Sequence, residues 1–356
     1  MFLLGSDVVR GVAEALHATV TPTKSAGVEA PPAGSQEALT HYHRGRYFTD
    51  RWTEEGNRLG IEHFEQAIAL DSDFALAYTG LAEAIMLRGD VVGLPGDIRP
   101  VDYMPRVREL VLKALDLDPD LAEAHRLLAW IRWNYDYDYA AAEREARRAT
   151  ELEPTSAAAW SNYGTALSVM GRDEDAIVAG RRAVELDPVA PWILSDFSAT
   201  LLLADKYQEA LETANAATEL DPNLPPAYWN AGEASLMLGN RDEAIRLFEH
   251  ARGLSDHPVY LGNLGGAYAR VGNTEAALKI LEELLQMRSR RYVAPRAFVH
   301  LYLGLDSLDA AMDWLMRGAE TRDPWLHWHI RSPLDRDKLR GHPRYPELLR
   351  LMRLER

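Results

Sequence analysis

The stretch AAAWSNYGTALSVMGRDEDAIVAGRRAVELDPVA, residues Ala157–Ala190, contains two short helical patterns separated by a glycine. In the first pattern, Trp160, Tyr163 and Leu167 recur at the spacing that places side chains on one face of a helix. The second pattern stops at Pro188, because proline has no amide hydrogen to donate to a helix. The stretch therefore predicts one helical hairpin, and its small residues predict a close approach of the two helix backbones.

The same pattern recurs at a nearly constant interval along the chain. A Leu-Asp-Pro or Leu-Glu-Pro sequence ends at Pro119, Pro154, Pro188 and Pro222, so the steps are 35, 34 and 34 residues. A period of this length indicates an array of stacked hairpins rather than a globule with one core.

With these regularly spaced proline motifs the chain resembles the tetratricopeptide repeat (TPR) family. That family has an aromatic residue, Leu-Gly and Tyr in the first helix of each repeat, small or aromatic residues in the second, and a closing proline. Weaker matches extend from about Gln36 to Glu320. More narrowly, the chain resembles the repeat half of bacterial multidomain signalling and transcription regulators. The resemblance implies an all-α, right-handed α-solenoid of about eight TPR helical hairpins with a C-terminal capping segment.

Composition and pattern predict four segments. These are an amphipathic N-terminal helix at 1–20, a flexible Pro/Gly-rich linker at 21–35, the repeat array at 36–320, and a cap at 321–356 with a tryptophan-rich inner side. An insertion at 90–102, with two prolines and two glycines, predicts an exposed loop. The third hairpin has one extra residue in its turn NYDYDYA. We expect that turn to be solvated rather than to bind calcium, because it lacks the glycine and glutamate of a twelve-residue calcium loop.

The overall composition limits the classes of partner. The chain has 356 residues, of which 47% are hydrophobic, and a net charge of −15. This charge disfavours direct binding to nucleic acid, since phosphate neutralisation requires a basic surface. The absence of cysteine excludes disulfides and thiol catalysis. The N-terminal stretch MFLLGSDVV has no positive leader, so we expect no membrane insertion and a cytoplasmic location. A homo-oligomer remains possible.

The chain carries no familiar catalytic motif. It has no Gly-rich phosphate loop with lysine, no His-Glu-x-x-His and no Gly-x-Ser-x-Gly. The pairs His41/His43 and His327/His329 are two residues apart, so on a helix their side chains point in different directions. We therefore predict no metal site, no cofactor and no enzymatic activity.

The TPR resemblance implies that the first helix of each repeat lines a concave groove. Tryptophan and arginine are favoured anchors at interfaces because they combine large contact area with hydrogen bonding. An alternative for the tryptophans is that they fill gaps between neighbouring first helices. The positions that the resemblance assigns to ligand contact are Arg126, Trp130, Trp133, Asn134, Ser161, Thr165, Trp192, Ser195, Trp229 and Glu233.

These features predict a non-catalytic scaffold or adaptor that binds a peptide segment of a partner protein in the groove. The alternative is a small-molecule-responsive sensor or regulatory subunit that controls an effector in trans. An open trough would favour the first function, and a pocket closed at its ends would favour the second.

Overall fold

A computed structural model describes residues 33–51, 53–90 and 98–355. Within these residues the chain forms 19 α-helices and no β-strand, which confirms the all-α prediction. The predicted N-terminal helix at 1–20 lies outside the described residues, and so do residues 21–32 of the predicted linker. The first described helix begins at Ala33, inside the stretch predicted as linker.

Sixteen helices form eight consecutive hairpins, as predicted. Their bounds, paired by hairpin, are α1 Ala33–Thr49 and α2 Glu54–Leu70; α3 Ala75–Asp90 and α4 Pro100–Leu117; α5 Ala122–Ile131 and α6 Tyr139–Leu152; α7 Ala157–Val169 and α8 Asp173–Leu186; α9 Pro191–Leu203 and α10 Tyr207–Leu220; α11 Pro225–Met237 and α12 Arg241–Leu254; α13 Pro258–Arg270 and α14 Thr274–Arg288; α15 Arg296–Gly304 and α16 Leu308–Thr321. Three short helices follow as the cap: α17 Leu326–Arg331, α18 Arg336–Arg340 and α19 Tyr345–Leu351.

Glycine and proline act in the hairpins as the sequence pattern predicts. Gly171, in the turn between α7 and α8, has a φ of 75°, which a glycine adopts without steric cost. At Gly164 a Cβ atom would lie 3.2 Å from the carbonyl oxygen of Ala176, so a larger residue there would require α7 and α8 to shift slightly apart. Helices α9, α11 and α13 each begin with proline, where the missing amide would have had no helical partner.

The insertion predicted as an exposed loop at 90–102 is partly helical. Residues 91–97 lie outside the described part of the chain. Asp90 is the last residue of α3, and Pro100 is the first residue of α4. Residues 100–102 therefore continue into a helix rather than a loop, which corrects the C-terminal boundary of the insertion.

Of the six hydrophobic clusters in the described part of the chain, the two largest are named here the N-terminal core and the C-terminal core. The N-terminal core is formed by buried residues from Phe64 in α2 to Ile131 in α5. The C-terminal core extends from Ala129 to Met352 and includes residues of the cap helices. Trp130 packs against both cores, so it lies where they meet. None of the described helices combines the length and apolar composition that a membrane span requires.

Candidate functional site

The residues Trp325–Arg336, here named the C-terminal segment, fold back onto the first helices of the array. The backbone N–H of Trp325 donates to the Asn134 side-chain oxygen over 2.9 Å, just beyond the end of α5. The indole N–H of Trp328 donates to Glu233 in α11 over 3.3 Å, and its ring centroid lies 5.1 Å from that of Trp229. The segment therefore contacts repeats that lie far from it in the sequence.

Three ion pairs hold the segment along its length. Arg331 pairs with Asp173 at the start of α8. Arg336 pairs with Asp205, in the turn after α9, over 2.8 Å. Arg270 in α13 pairs with Asp335 over 2.6 Å. These contacts connect the segment to the fourth, fifth and seventh hairpins.

A tight turn directs the chain into the segment. Arg322 and Trp325 have φ values of 58° and 64°, a left-handed conformation that is uncommon for bulky residues. Between them, the Asp323 carboxylate accepts a hydrogen bond from the backbone N–H of Arg296 over 2.8 Å and pairs with its guanidinium. The guanidinium of Arg296 also donates to the carbonyl oxygen of Pro324 over 3.2 Å. This buried ion pair fixes the point from which the segment crosses the array.

The extra residue of the third hairpin has a structural consequence. Residues Arg132–Asp136 form a π-helical turn, a widened turn that absorbs one additional residue. Asn134 lies in this turn and accepts the hydrogen bond from Trp325. Tyr137, at its end, is only 2% exposed, and the guanidinium of Arg322 lies 4.6 Å from its ring centroid. The prediction of a solvated turn is therefore wrong, because Arg322 and Trp325, which follow the eighth hairpin, cover part of it.

Asp335 is the centre of a buried charged cluster. One carboxylate oxygen lies 3.0 Å from Nδ1 of His300 and 2.8 Å from Nδ1 of His329, and the other accepts from Arg270. Burial raises the pKa of Asp335, but the attraction of His300 and Arg270 together with the histidine hydrogen bonds outweighs it, so the pKa lies well below its usual value. Burial and the neighbouring His300 lower the pKa of His329. The cluster is therefore an anionic carboxylate enclosed by hydrogen-bond donors.

This cluster also has the residue types of a metal site. The potential ligand atoms of His300, His329 and Asp335 all lie within 4.8 Å of one another. The close histidine pair in the sequence, His327/His329, does not form it; His329 meets a histidine from α15 instead. The spacing of residues along the sequence could not indicate this cluster, because its members come from three different elements.

Glu233 lies beside the same cluster and is almost fully buried. Its Oε1 accepts from the indole N–H groups of Trp229 at 3.0 Å and Trp328 at 3.3 Å, and lies 3.5 Å from Nε2 of His300. Its Oε2 is buried and has no hydrogen-bond partner in the part of the chain that the structure describes. Burial, with repulsion from Asp335, raises the pKa of Glu233 to about 8. The carboxyl group is therefore predominantly protonated at neutral pH.

The ten residues predicted to line the groove fall into two sets. Asn134, Trp229 and Glu233 contact the C-terminal segment directly, and Thr165 lines a cleft with Trp325. Their place in a groove for a partner peptide stays a prediction, since the chain's own segment lies there. The other six form the second set. Ser161 donates a hydrogen bond to Asp196, and Ser195 accepts one from Asn230. Trp130 and Trp133 pack in the cores, Arg126 joins an ion network, and Trp192 is 41% exposed.

The ion network around Arg126 lies at the other end of the array. Glu83 in α3 accepts from Arg126 at 2.8 Å and from Arg46 in α1 at 2.7 Å. Arg46 also reaches Glu123 in α5 over 3.2 Å. Burial raises the pKa of Glu83, but the attraction of Arg126 and Arg46 lowers it by more than burial raises it, so the pKa lies below its usual value. The first helices of three hairpins are thus joined by charge rather than by a crossing segment.

A cleft remains between the C-terminal segment and helices α7 and α9. It has a volume of about 330 Å³, including the part open to solvent. Asp196 is its one carboxylate, and Ser161 donates to it over 2.8 Å. Burial raises the pKa of Asp196 to about 6. The residues that line the cleft are Thr165, Ser168, Val169, Asp196, Ala199, Thr200, Leu203, Trp325, His327 and Trp328.

Comparison with known proteins identifies part of the array. Residues 137–191 match the tetratricopeptide repeat family. YrrB, described as a TPR protein with an unusual peptide-binding site, is 24% identical over 56% of this chain and 97% of its own, with a TM-score of 0.36. PilW, a type IV pilus biogenesis factor, is 16% identical over 69% of this chain and 99% of its own, with a TM-score of 0.47. Pseudomonas aeruginosa pilF is 20% identical over 62% of this chain and 94% of its own, with a TM-score of 0.45.

No curated protein matches the sequence. The narrower resemblance to bacterial multidomain regulators stays a prediction.

The tetratricopeptide repeat pattern explains why Asp196 was missed. The expected contact position in α9 was Ser195, which instead faces Asn230 of the next first helix. The neighbouring residue, Asp196, shares a helical stripe with Trp192 and Ala199, at spacings of four and three residues. The signal available in the sequence was the position of the Asp196 carboxylate on the same helical stripe as Trp192.

Proposed function

We propose that the protein is a non-catalytic scaffold whose first helices bind a peptide segment of a partner protein. The observation that carries this proposal is that these helices already hold one polypeptide segment, the chain's own residues Trp325–Arg336. The contacts that hold it use a backbone N–H, indole rings and a few ion pairs. Peptide recognition in general uses this combination of aromatic contacts and a small number of polar ones.

The partner contacts the part of this surface that the C-terminal segment leaves open. Trp192 lies one helical turn before Asp196 on the stripe that lines the cleft, and it is 41% exposed. Tryptophan offers a large rigid contact area at small entropic cost, which suits it to anchor a partner segment. Trp229, by contrast, packs beneath Trp328 and is unsuitable for a test that must preserve the fold.

The test is selection of binders from a phage-displayed library of random peptides by the immobilised full chain. We expect peptides enriched by the wild type to be lost with Trp192→Ala and retained with Val178→Ala. Val178 is a suitable control because it is 68% exposed but lies on the second helix α8. Enrichment of no peptide by the wild type, or equal binding by both variants, would count against the proposal.

A second function is favoured by a specific observation. The C-terminal segment crosses the first helices and leaves a small covered cleft rather than a continuous open trough. We propose as the alternative that this cleft holds a small molecule and that the protein acts as a sensor or regulatory subunit for an effector in trans. Binding would be reported through Trp325 and Trp328, which belong both to the cleft and to the segment that joins distant hairpins.

A further inference from the structure

Asp196 differs from most carboxylates in the interior of the array. Glu83, Asp323 and Asp335 each form an ion pair with an arginine. Asp196 accepts a hydrogen bond from Ser161, and no lysine or arginine of the described chain lies close enough to lower its pKa. Asp196 is only partly buried, but a carboxylate that is partly withdrawn from water is still less favourable unless a cation or several donors compensate it. The cleft therefore contains a negative charge without its own counter-charge.

The hydroxyl groups around Asp196 present acceptors to the cleft. Thr165 donates its hydrogen to the carbonyl oxygen of Ser161 over 3.1 Å, and Thr200 donates to that of Asp196 over 3.2 Å. A hydroxyl has one hydrogen and two lone pairs, so each threonine retains only acceptor capacity. Among the described residues, the buried Ser168 hydroxyl has no hydrogen-bond partner, so it can accept as well as donate. The polar part of the lining consequently matches a ligand with several N–H donors.

The rest of the lining suits a cation with an apolar body. The indole side chains of Trp325 and Trp328 border the cleft, and aromatic faces attract cations. Val169 and Leu203 supply aliphatic surface. Burial lowers the pKa of His327 to about 3, so this histidine is neutral at physiological pH and does not repel a cation.

We propose that the cleft binds a small primary alkylammonium ion, with the ammonium group on Asp196 and the alkyl group against Val169 and Leu203. An ammonium group has three N–H donors and no acceptor, which fits a carboxylate surrounded by hydroxyl acceptors. The enclosed part of the cleft has a volume of only about 30 Å³, which admits the ammonium group, while the alkyl group extends into the part that is open to solvent. This inference rests on the second function proposed above, and it is independent of peptide binding by Trp192.

The test uses the full chain and n-butylammonium chloride as the probe. Binding is measured by isothermal titration calorimetry and by tryptophan fluorescence, since two indoles line the cleft. We expect Asp196→Asn to weaken binding by about 10- to 100-fold, the loss typical of a hydrogen bond to a charged partner. Asn keeps the size of the side chain and can still accept from Ser161, so the fold should persist; circular dichroism verifies this.

The matched control is Asp116→Asn, which removes the same charge from an exposed position on α4 and should leave the affinity unchanged. Absence of n-butylammonium binding to the wild type, or equal binding to Asp196→Asn, overturns the inference. Binding of n-butanol or butyrate instead overturns the ammonium ligand while the sensor function survives. If none of these molecules nor a wider panel of small metabolites binds, both the inference and the second function fail.

Discussion

The two ends of the array are held together in different ways. The first two hairpins contact their neighbours through the N-terminal core and through the network of Arg46, Glu83 and Arg126. From the third hairpin onward, the C-terminal segment also joins repeats that are not neighbours, for example through Asn134 and Glu233. A repeat array normally has only nearest-neighbour interfaces, so its parts can unfold separately. We therefore expect the C-terminal segment to make most of this array unfold as a single cooperative unit.

The largest effect is expected from removal of the side chain that joins the segment to the sixth hairpin. Trp328→Ala should lower the free energy of unfolding by about 3–5 kcal/mol, the usual cost of truncating a buried aromatic residue. Because Trp328 is buried against Trp229 and Glu233, unfolding of the C-terminal region should begin at lower denaturant concentration. Hydrogen exchange measured at increasing urea concentration would show which helices unfold first.

Trp192→Ala is the control for that experiment, since Trp192 is largely exposed and should cost less than about 1 kcal/mol. Equal destabilisation by the two variants would contradict the assigned role of the segment.

A smaller effect is expected at the other end of the molecule. Glu83→Gln leaves Arg46 and Arg126 without their shared carboxylate, and should destabilise the first three hairpins by about 1–3 kcal/mol. Hydrogen exchange should rise in α1 to α5 and remain unchanged in α11 to α17. A uniform increase over the whole chain would show that the two ends are not separable. Glu62→Gln is a suitable control, because Glu62 pairs with Arg58 only on the exposed side of α2.

The smallest effect, within the range from pH 6.5 to 8, concerns the C-terminal region alone. The pKa of Glu233 is raised from 4.5 to about 8, so the folded state retains a proton that the unfolded state releases. Stability is therefore lost as pH rises from about 4.5 toward 8. Between pH 6.5 and 8 this loss amounts to at most about 2 kcal/mol. Urea unfolding at several pH values should show this slope for the wild type and a flatter profile for Glu233→Gln. A persistent slope in the variant would assign the titration to another group.

Local patterns in the sequence predicted the hairpins but not the path of the C-terminal segment. Prolines, glycines and helical stripes act within a few residues, so α7 and α8 could be placed from the sequence alone. The tryptophan-rich side of the cap was expected to face inward, but nothing local indicated that Trp325 would meet Asn134. Those residues are separated by 191 positions, and their contact depends on the summed geometry of all the intervening repeats.

The candidate site was predictable only in part, for the same reason. Thr165, Trp229 and Glu233 were chosen from their positions in the repeat, and all three lie at or beside the C-terminal segment. Asp335 and His300 were missed because they lie on separate elements, the residues before α18 and helix α15, and no local pattern indicates that these elements meet. Asp196 was missed by one residue, since a helix turns by 100° per residue and a small error in register selects a different face.

The fold-back of the C-terminal segment gives synthesis on the ribosome a particular time course. Asn134 is translated 191 residues before the Trp325 amide that it binds, which is a delay of roughly 10–40 s at ordinary elongation rates. During that interval the indole of Trp229 and the carboxyl of Glu233 lack their final cover. The nascent chain therefore exposes an apolar surface until residues Trp325–Arg336 have been made, and a stop codon before Trp325 would leave it permanently uncovered.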